Sequence, residues 1–357
     1  MADSRKYDII VAGEINVDLI LTGETVRPSF GHEKLVDDCT LTMGSSSVIF
    51  ACQAARLGLS AAFAGKVGKD TFGDFMLRGM RECSVDVGHV MQVDRPKTGI
   101  TVSLSEPHDR AMLTYLGTIA ELQASEVSDE LLRSARHLHV SSAFLQAKLL
   151  PDLAALFARA KSLGCTTSLD TGWDPLERWG QQVLAAVSQV HVFMPNEEEA
   201  PRLVMLAGAP AATGAPSVMP EEALGVLAET VPVVAVKLGA RGALAAAGKE
   251  RAACPAYKVT VVETTGAGES FDAGFIYGYL SGWPLERSLR LGCACGALST
   301  RAAGGTASQA TLPEAVAFME KDAGREHKRA SLGPDVSSAV PRRRSGRGSS
   351  DGSACRR

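Results

Sequence analysis

The sequence contains no apolar run long enough to cross a membrane as a helix. Its charged start, Met1–Asp8, leads into a short apolar stretch that ends at Gly13-Glu14. That is too short for a secretory signal with a cleavage site, so a cytoplasmic protein is expected. There is no C-x-x-C, and no Cys/His cluster has zinc spacing. The eight cysteines are scattered at 39, 52, 83, 165, 254, 293, 295 and 355. They are expected to be reduced thiols packed as small hydrophobes. Cys293 and Cys295, two apart on an expected helix, point in different directions. No internal repeat is present. A formal net charge of −3 gives no electrostatic reason to expect nucleic acid as the main partner.

What is there is ordinary for a soluble enzyme: 357 residues, 45% apolar and 22% charged. That length suits one large domain or two small ones. Tyr7–Ala12 is a short apolar run stopped by glycine and reads as a buried strand. Asp18–Thr22, Leu35–Thr42 and Ala61–Val67 also have strand character. Ser46–Leu57 has helical spacing and stops at Gly58, and Phe72–Glu82 is a second helix. Thr98–Leu104 and Ala111–Tyr115 flank a polar turn, Pro107–Arg110, and read as a hairpin. Candidate strands at His137–Val140, Thr166–Asp170, His191–Met194 and Val233–Leu238 then alternate with helices at Pro151–Leu163, Trp179–Val187 and Glu221–Thr230. Such alternation predicts an α/β fold: a mainly parallel sheet with helices on both faces. Ala207–Pro220 is an Ala/Gly/Pro/Ser loop, and Ser270–Ser281 and Leu285–Ala302 are helices. Ser331–Arg357 is rich in Ser, Gly, Arg and Pro and is expected to be disordered. From Arg325 onward the chain is basic and the remainder acidic, which puts the domain at 1–324 and a solvated tail at 325–357.

The most informative segment is Val261–Phe275, VVETTGAGESFDAGF. Gly266-Ala267-Gly268 stands between strand-like residues and a helix expected from about Glu269. Glycines let a backbone turn sharply and approach a ligand closely. Successive amides opening a helix form an anion cradle. An acid placed there is suited to taking a proton from a hydroxyl that attacks a phosphoryl group held by those amides. Taken alone, the same pattern is also a plain strand-to-helix turn with an acid favoured by the helix dipole.

The longer string resembles the D-T-x-G-A-G-D-x-F signature of the ribokinase-like (PfkB) family of carbohydrate kinases. The resemblance runs from about Tyr7 to Thr311, with further pieces in order. These are Gly13–Asp18, Gly44–Gly58 ending in R-L-G, Val67–Gly73, Asn196–Glu199 as N-x-x-E, and Lys237–Gly242. It implies a three-layer α/β/α sandwich with a small β-sheet lid, drawn from about residues 16–44 and 95–120. It also implies ATP-dependent phosphorylation of a small sugar or sugar acid, with ATP and Mg²⁺.

The resemblance assigns roles. Glu269 takes the place of the family's catalytic Asp as general base, with Gly266, Ala267 and Gly268 supplying amides to the phosphoryl group. Asn16, Asp18, Gly44, Ser45 and Asp170 fall on the sugar side. Asn196, Lys237, Gly239, Gly242 and Thr265 fall on the nucleotide side, with Leu291–Gly305 as the adenine wall. Glu199 serves Mg²⁺ through water, although without the family Glu197–Glu199 reads equally as a solvated acidic first turn. Glu263 stands where the family can bind a monovalent cation, so a K⁺ site is open. The pattern is broken at Ser45, Ile49, Gly172, Glu263 and Glu269. Two alternatives therefore stand beside the sugar kinase: a nucleoside kinase, for which Val48-Ile49-Phe50 is apolar enough, and a non-catalytic sugar- or nucleotide-binding relative. Arg110 falls in the lid, and lids of this family often pair between subunits, so a homodimer is a further expectation.

Overall fold

The computed structural model describes residues 5–107, 109–208 and 218–331. The chain divides into two compact units, Met1–Met319 and Glu320–Arg357. The first holds both sheets. In chain order its strands are β1 Tyr7–Ala12, β2 Asn16–Thr22, β3 Asp38–Met43, β4 Ala61–Gly68, β5 Asp86–Val93, β6 Gly99–Ser105, β7 Arg110–Tyr115, β8 Ala135–Val140, β9 Thr166–Leu169, β10 Val192–Phe193, β11 Val233–Lys237, β12 Ala243–Ala247 and β13 Glu250–Cys254. The helices are α1 Ser46–Arg56, α2 Thr71–Glu82, α3 Asp129–Arg133, α4 Leu153–Ser162, α5 Gln181–Val187, α6 Glu199–Leu206, α7 Pro220–Leu227, α8 Ala267–Leu280, α9 Leu285–Ser299 and α10 Leu312–Ser331.

Nine strands form the central sheet in the order β13-β12-β11-β10-β9-β8-β1-β4-β5. All pairings are parallel except those of the β11-β12-β13 meander at one edge. Both faces are buried, which explains the near-continuous apolar runs. Along β1, Ile9 and Val11 enter one core with Phe50, Met76 and Phe271, whereas Ile10 and Ala12 enter the other with Leu138, Phe157 and Leu203. One polar row runs through this interior. Hydrogen bonds of 2.7 Å link Thr166, His137, Ser168, His139 and Ser141 on and beside β8 and β9. Burial holds His139 down at about 3, so the ring is neutral and can donate at one nitrogen and accept at the other.

A second sheet, β3-β2-β6-β7, stands apart from the first. The expected hairpin is β6 against β7, with Val102 opposite Leu113. The pleat gives this sheet two unlike faces. Asp18, Thr101, Thr114 and Thr42 share one, and Leu19, Leu41, Val102 and Leu113 share the other.

Three strands, β5, β12 and β13, are not anticipated by the sequence pattern. β12 is ALAAA, a composition that favours helix, and it becomes a strand because Gly248-Lys249 turns it back on β13. β5 closes the other edge of the sheet, with mixed burial. Of the expected tail, residues 325–331 continue α10 and 332–357 lie outside the described residues. Most of the loop expected at Ala207–Pro220 is also outside them. Among the described residues no helix is long and apolar enough to cross a membrane.

Candidate active site

The site is built where β1, β9, β10 and β11 end and where α1 and α8 begin, the edge at which open α/β sheets gather ligands. Gly266 turns the chain into α8 in a left-handed conformation, φ 78°. A Cβ there would come within 2.7 Å of Gly305 Cα and 3.0 Å of Ile49 Cγ2, so only glycine fits. Helix α8 starts at Ala267, two residues before the expected position. The Ala267 amide donates to the Thr264 carbonyl at 3.2 Å. The amides of Gly266, Gly268 and Glu269 have no backbone acceptor among the described residues and are donors left over at the start of the helix. Of the cradle expected at residues 266–268, the Ala267 amide is thus already paired.

Glu269, in the first turn of α8, faces the lid. Its Oε1 accepts from the Ser46 hydroxyl at 2.7 Å, and its charge acts on Asp18. Asn16 Nδ2 donates to Asp18 Oδ1 at 3.0 Å. Gly44 lets these two side chains lie flat: a Cβ there would stand 2.1 Å from Asp18 Oδ1. Ser45, in place of a second glycine, holds φ at 72°; its hydroxyl caps α1 through the Val48 amide at 3.0 Å and donates to the Glu14 carbonyl at 2.6 Å. Glu14 itself is buried and accepts from the amide of Ser47 at 3.1 Å, which fixes the start of α1. Burial pushes its carboxyl up to about 7 despite those bonds. Glu14 and Ser46 were not picked out by the sequence; an acid ending a buried strand was the available signal for the former.

Burial, and then the charges of Glu263 and Glu269, push the Asp18 carboxyl up to about 7 against Asn16 and Arg110. An unfolded Asp titrates near about 3.9. Between those values the folded chain binds more protons than the unfolded one. This group's contribution is thus complete below about pH 4 and is lost progressively as pH rises to and through 7. Asp18→Asn should raise Tm by a few degrees more at pH 8 than at pH 5. Calorimetry at the two pH values checks this, and an equal shift at both would contradict it.

A buried charge cluster lies behind the cradle. Lys237 Nζ is 2.9 Å from Asp170 Oδ2 and 2.9 Å from Asp272 Oδ2, and it sits under Gly268. Burial works against the Lys237 ammonium, but Asp170, Asp272 and Glu199 outweigh it and hold its pKa above the usual lysine value. Burial likewise opposes the Asp170 carboxylate, yet Lys237 keeps it below the usual range. Asp272, wholly enclosed and beside Asp170, is raised. The residues expected on the sugar and nucleotide sides, Asp170 and Lys237, thus meet each other directly, and Asp272 joins them as an unforeseen third member. An Asp within the otherwise apolar FDAGFIYGYL stretch was a signal for it, because a buried acid requires a partner.

Asn196 and Lys237 extend the sheet by a parallel bridge. The Asn196 amide and Nδ2 donate to the two oxygens of Glu199 at 3.0 and 2.8 Å, and Asn196 Oδ1 accepts from the amides of Glu198 and Glu199. Burial, with Asp170 nearby, pushes the Glu199 carboxyl up to about 8. Gly239 and Gly242 both have positive φ, and a Cβ at Gly242 would meet the Cys254 carbonyl at 2.0 Å.

Thr265 donates to Glu263 and accepts from Arg110 Nη1 of the lid at 3.3 Å. The other Glu263 oxygen takes the Gly304 amide at 2.7 Å, so this acid pins the 300–305 loop to the signature segment. Within Leu291–Gly305, the part up to Ser299 belongs to α9 and packs on α8. Only the loop after it borders Gly266. Ile49 is 3% exposed and wedges beneath Gly266 and Gly305 rather than facing a ligand. Val48 and Phe50 are buried as well, with Phe50 stacked on His139, so this apolar run is taken up by the core.

Known proteins share the sequence pattern and the fold. The profile of the pfkB family of carbohydrate kinases matches residues 6–312. The ATP-dependent ribose-1-phosphate kinase of Halopiger xanaduensis is 28% identical over 317 residues, covering 88% of this chain and 98% of that protein. The 5-dehydro-2-deoxygluconokinase of Shouchella clausii is 26% identical, covering 89% of this chain and 97% of its own length. Among solved structures, Arabidopsis thaliana ribokinase with ribose and ATP superposes with a TM-score of 0.76 at 22% identity, covering 88% of this chain and 99% of that one. The fold is therefore the ribokinase fold, with a mainly parallel central sheet, flanking helices and a smaller mixed sheet. The chain belongs to the pfkB family of carbohydrate kinases, ATP-dependent phosphotransferases with an alcohol group as acceptor.

Proposed function

We propose that this protein transfers the terminal phosphoryl group of ATP to a hydroxyl of a small sugar or sugar acid, with Glu269 as general base. The observation that carries this reading is the Glu269 carboxylate beside two unpaired amides of α8, held by Ser46 and turned toward Asp18. Asn16 and Asp18, with Gly44 and Ser45 behind them, receive the acceptor's hydroxyls. Glu269 withdraws the proton from the attacking hydroxyl while the Gly268 and Glu269 amides, at the positive end of α8, stabilise charge on the transferred group. Gly266 and Ala267 shape that turn. Lys237, kept in place by Asp170 and Asp272, adds positive charge beneath it. Asn196, Gly239, Gly242 and Thr265 lie on the nucleotide side. A single buried carboxylate, Glu199, suits Mg²⁺, a hard cation that keeps waters and takes phosphate oxygens. Bound there, it would neutralise phosphate charge. Arg110, exposed on the lid within reach of Thr265, suits an acceptor that carries a carboxylate.

The test is ADP release with ATP and Mg²⁺ across small sugars, sugar acids and nucleosides. Turnover is expected with a sugar or sugar acid. Release no faster than that of Glu269→Gln with every acceptor would leave only a binding protein, and turnover confined to nucleosides would move the acceptor class.

The same reading extends to assembly. Leu41, Leu113 and Tyr115 lie on the lid face opposite Asp18 and are 40, 63 and 52% exposed. A second copy of this chain, pairing lid to lid, would cover them. Light scattering should give a dimer for the native chain and a monomer for Leu113→Glu. A native monomer at assay concentration would reject this pairing.

A further inference from the structure

We propose that Cys52 and Cys83 form a reversible dithiol that peroxide oxidises to an intramolecular disulfide. Cys52 lies on the buried side of α1 and Cys83 caps the C-terminal end of α2. Both line one cavity of about 150 Å³, together with Arg56, Glu82, Thr306 and Gln309. Arg56 and Glu82 are exposed, so solvent and a small polar oxidant reach the cavity. It is large enough for several waters, and its walls are polar enough to hold them. The two thiols face the same cavity and each acts on the other's protonation, so they are near neighbours, as a sulfur–sulfur bond requires.

The pair is asymmetric. The neighbouring Cys52 thiol, opposed by burial and aided by the Arg56 guanidinium, lowers half-exposed Cys83 to about 7, while Cys83 and burial raise Cys52. Cys83 is therefore the attacking thiolate and Cys52 the resolving thiol. In the first step Cys83 sulfur bonds to one peroxide oxygen and the O–O bond breaks. The hydroxide released takes a proton and leaves as water, and Cys83 becomes a sulfenic acid. Cys52 sulfur then attacks Cys83 sulfur, the S–O bond breaks, and a second water carries off the Cys52 proton. The two sulfurs together lose two electrons, and peroxide becomes two waters. By contrast, Cys293 and Cys295 are buried in the α8–α9 core, and burial raises Cys295 to about 12.

The location ties this chemistry to the site. Gln309, in the cavity wall, donates to the Ile49 carbonyl at 2.8 Å, and Gln53 donates to the Ala310 carbonyl at 2.8 Å. A disulfide would fasten to α2 the helix whose first turn carries Ser46 and whose Ile49 wedges under Gly266.

The experiment exposes the full chain to hydrogen peroxide, blocks free thiols and maps disulfides by mass without reduction, so it does not depend on turnover. The expected product is one peptide pair joining 52 to 83, lighter by two hydrogens and separated by dithiothreitol. Cys83→Ala should abolish it, and Cys52→Ala should leave a Cys83 sulfenic acid that dimedone traps. Cys39, which is exposed, serves as the internal reference. If peroxide oxidises Cys39 in the native chain while no 52–83 link forms, the proposal is overturned, whether or not the variants fold.

Discussion

Glu269→Gln should lower turnover by about a hundredfold to ten-thousandfold, with KM for ATP and acceptor changed only slightly. The amide keeps the size of the side chain and can still accept from Ser46, but it cannot take a proton. A loss confined to kcat is what removal of a general base produces. Glu269→Asp tests the fit of the site to this longer acid. The family signature has Asp here, yet in this chain Ser46 meets the Glu269 carboxylate at 2.7 Å. Shortening the side chain pulls the carboxylate back by roughly 1 Å or more, and misplacement on that scale costs about a hundredfold. Glu269→Asp should therefore be slower than the native chain. If the native chain were no faster than Glu269→Gln while Glu269→Asp gained turnover, native Glu269 would not be the working base, and the binding-protein reading would take its place. Steady-state ADP release for the three proteins decides the matter.

Lys237→Met should destabilise the fold by about 3–5 kcal/mol, because it removes the one cation between two enclosed carboxylates. Asp170 is 6% exposed and Asp272 is fully buried, so neither gains solvation when the ammonium goes. One of them must take a proton, and the other stays charged in a poorly polarisable interior. Adding Asp272→Asn to Lys237→Met should recover part of the loss, a non-additive result that identifies the cluster as a coupled unit. Urea unfolding of the two single variants and the double variant provides the measurement. Strict additivity, or a Lys237→Met cost below about 1 kcal/mol, would show that the cluster is not held together by this pairing. Because Lys237 lies under Gly268, the stable part of these variants should also lose turnover.

Some of this was legible in the chain and some was not. The buried parallel strands were legible because both of their faces are apolar, as Ile9 to Ala12 illustrates. The hairpin β6–β7 was legible from its polar turn. The signature turn was legible because glycine at 266 and an acid at 269 are local features that a short window contains. β12 was not, because five residues of Ala and Leu carry no strand preference and are made a strand by their partners. Ile49, one of the breaks in the family pattern, packs beneath two glycines, one of them 256 positions away in the chain at Gly305. Nothing in its neighbours along the sequence could reveal that contact.

The sequence alone determined the buried parallel strands and the helices between them, the place of the glycine turn before α8, and the kinds of chemical group at the end of the sheet. These depend on periodicity, backbone freedom and residue type, all of which act over a few residues. Only the tertiary structure decided which groups meet: Ser46 with Glu269, Lys237 with Asp170 and Asp272, Arg110 with Thr265, and Cys52 with Cys83. Those pairings arise where segments far apart in the chain are packed together. Burial and charge act through space there, and they set each group's protonation and reach.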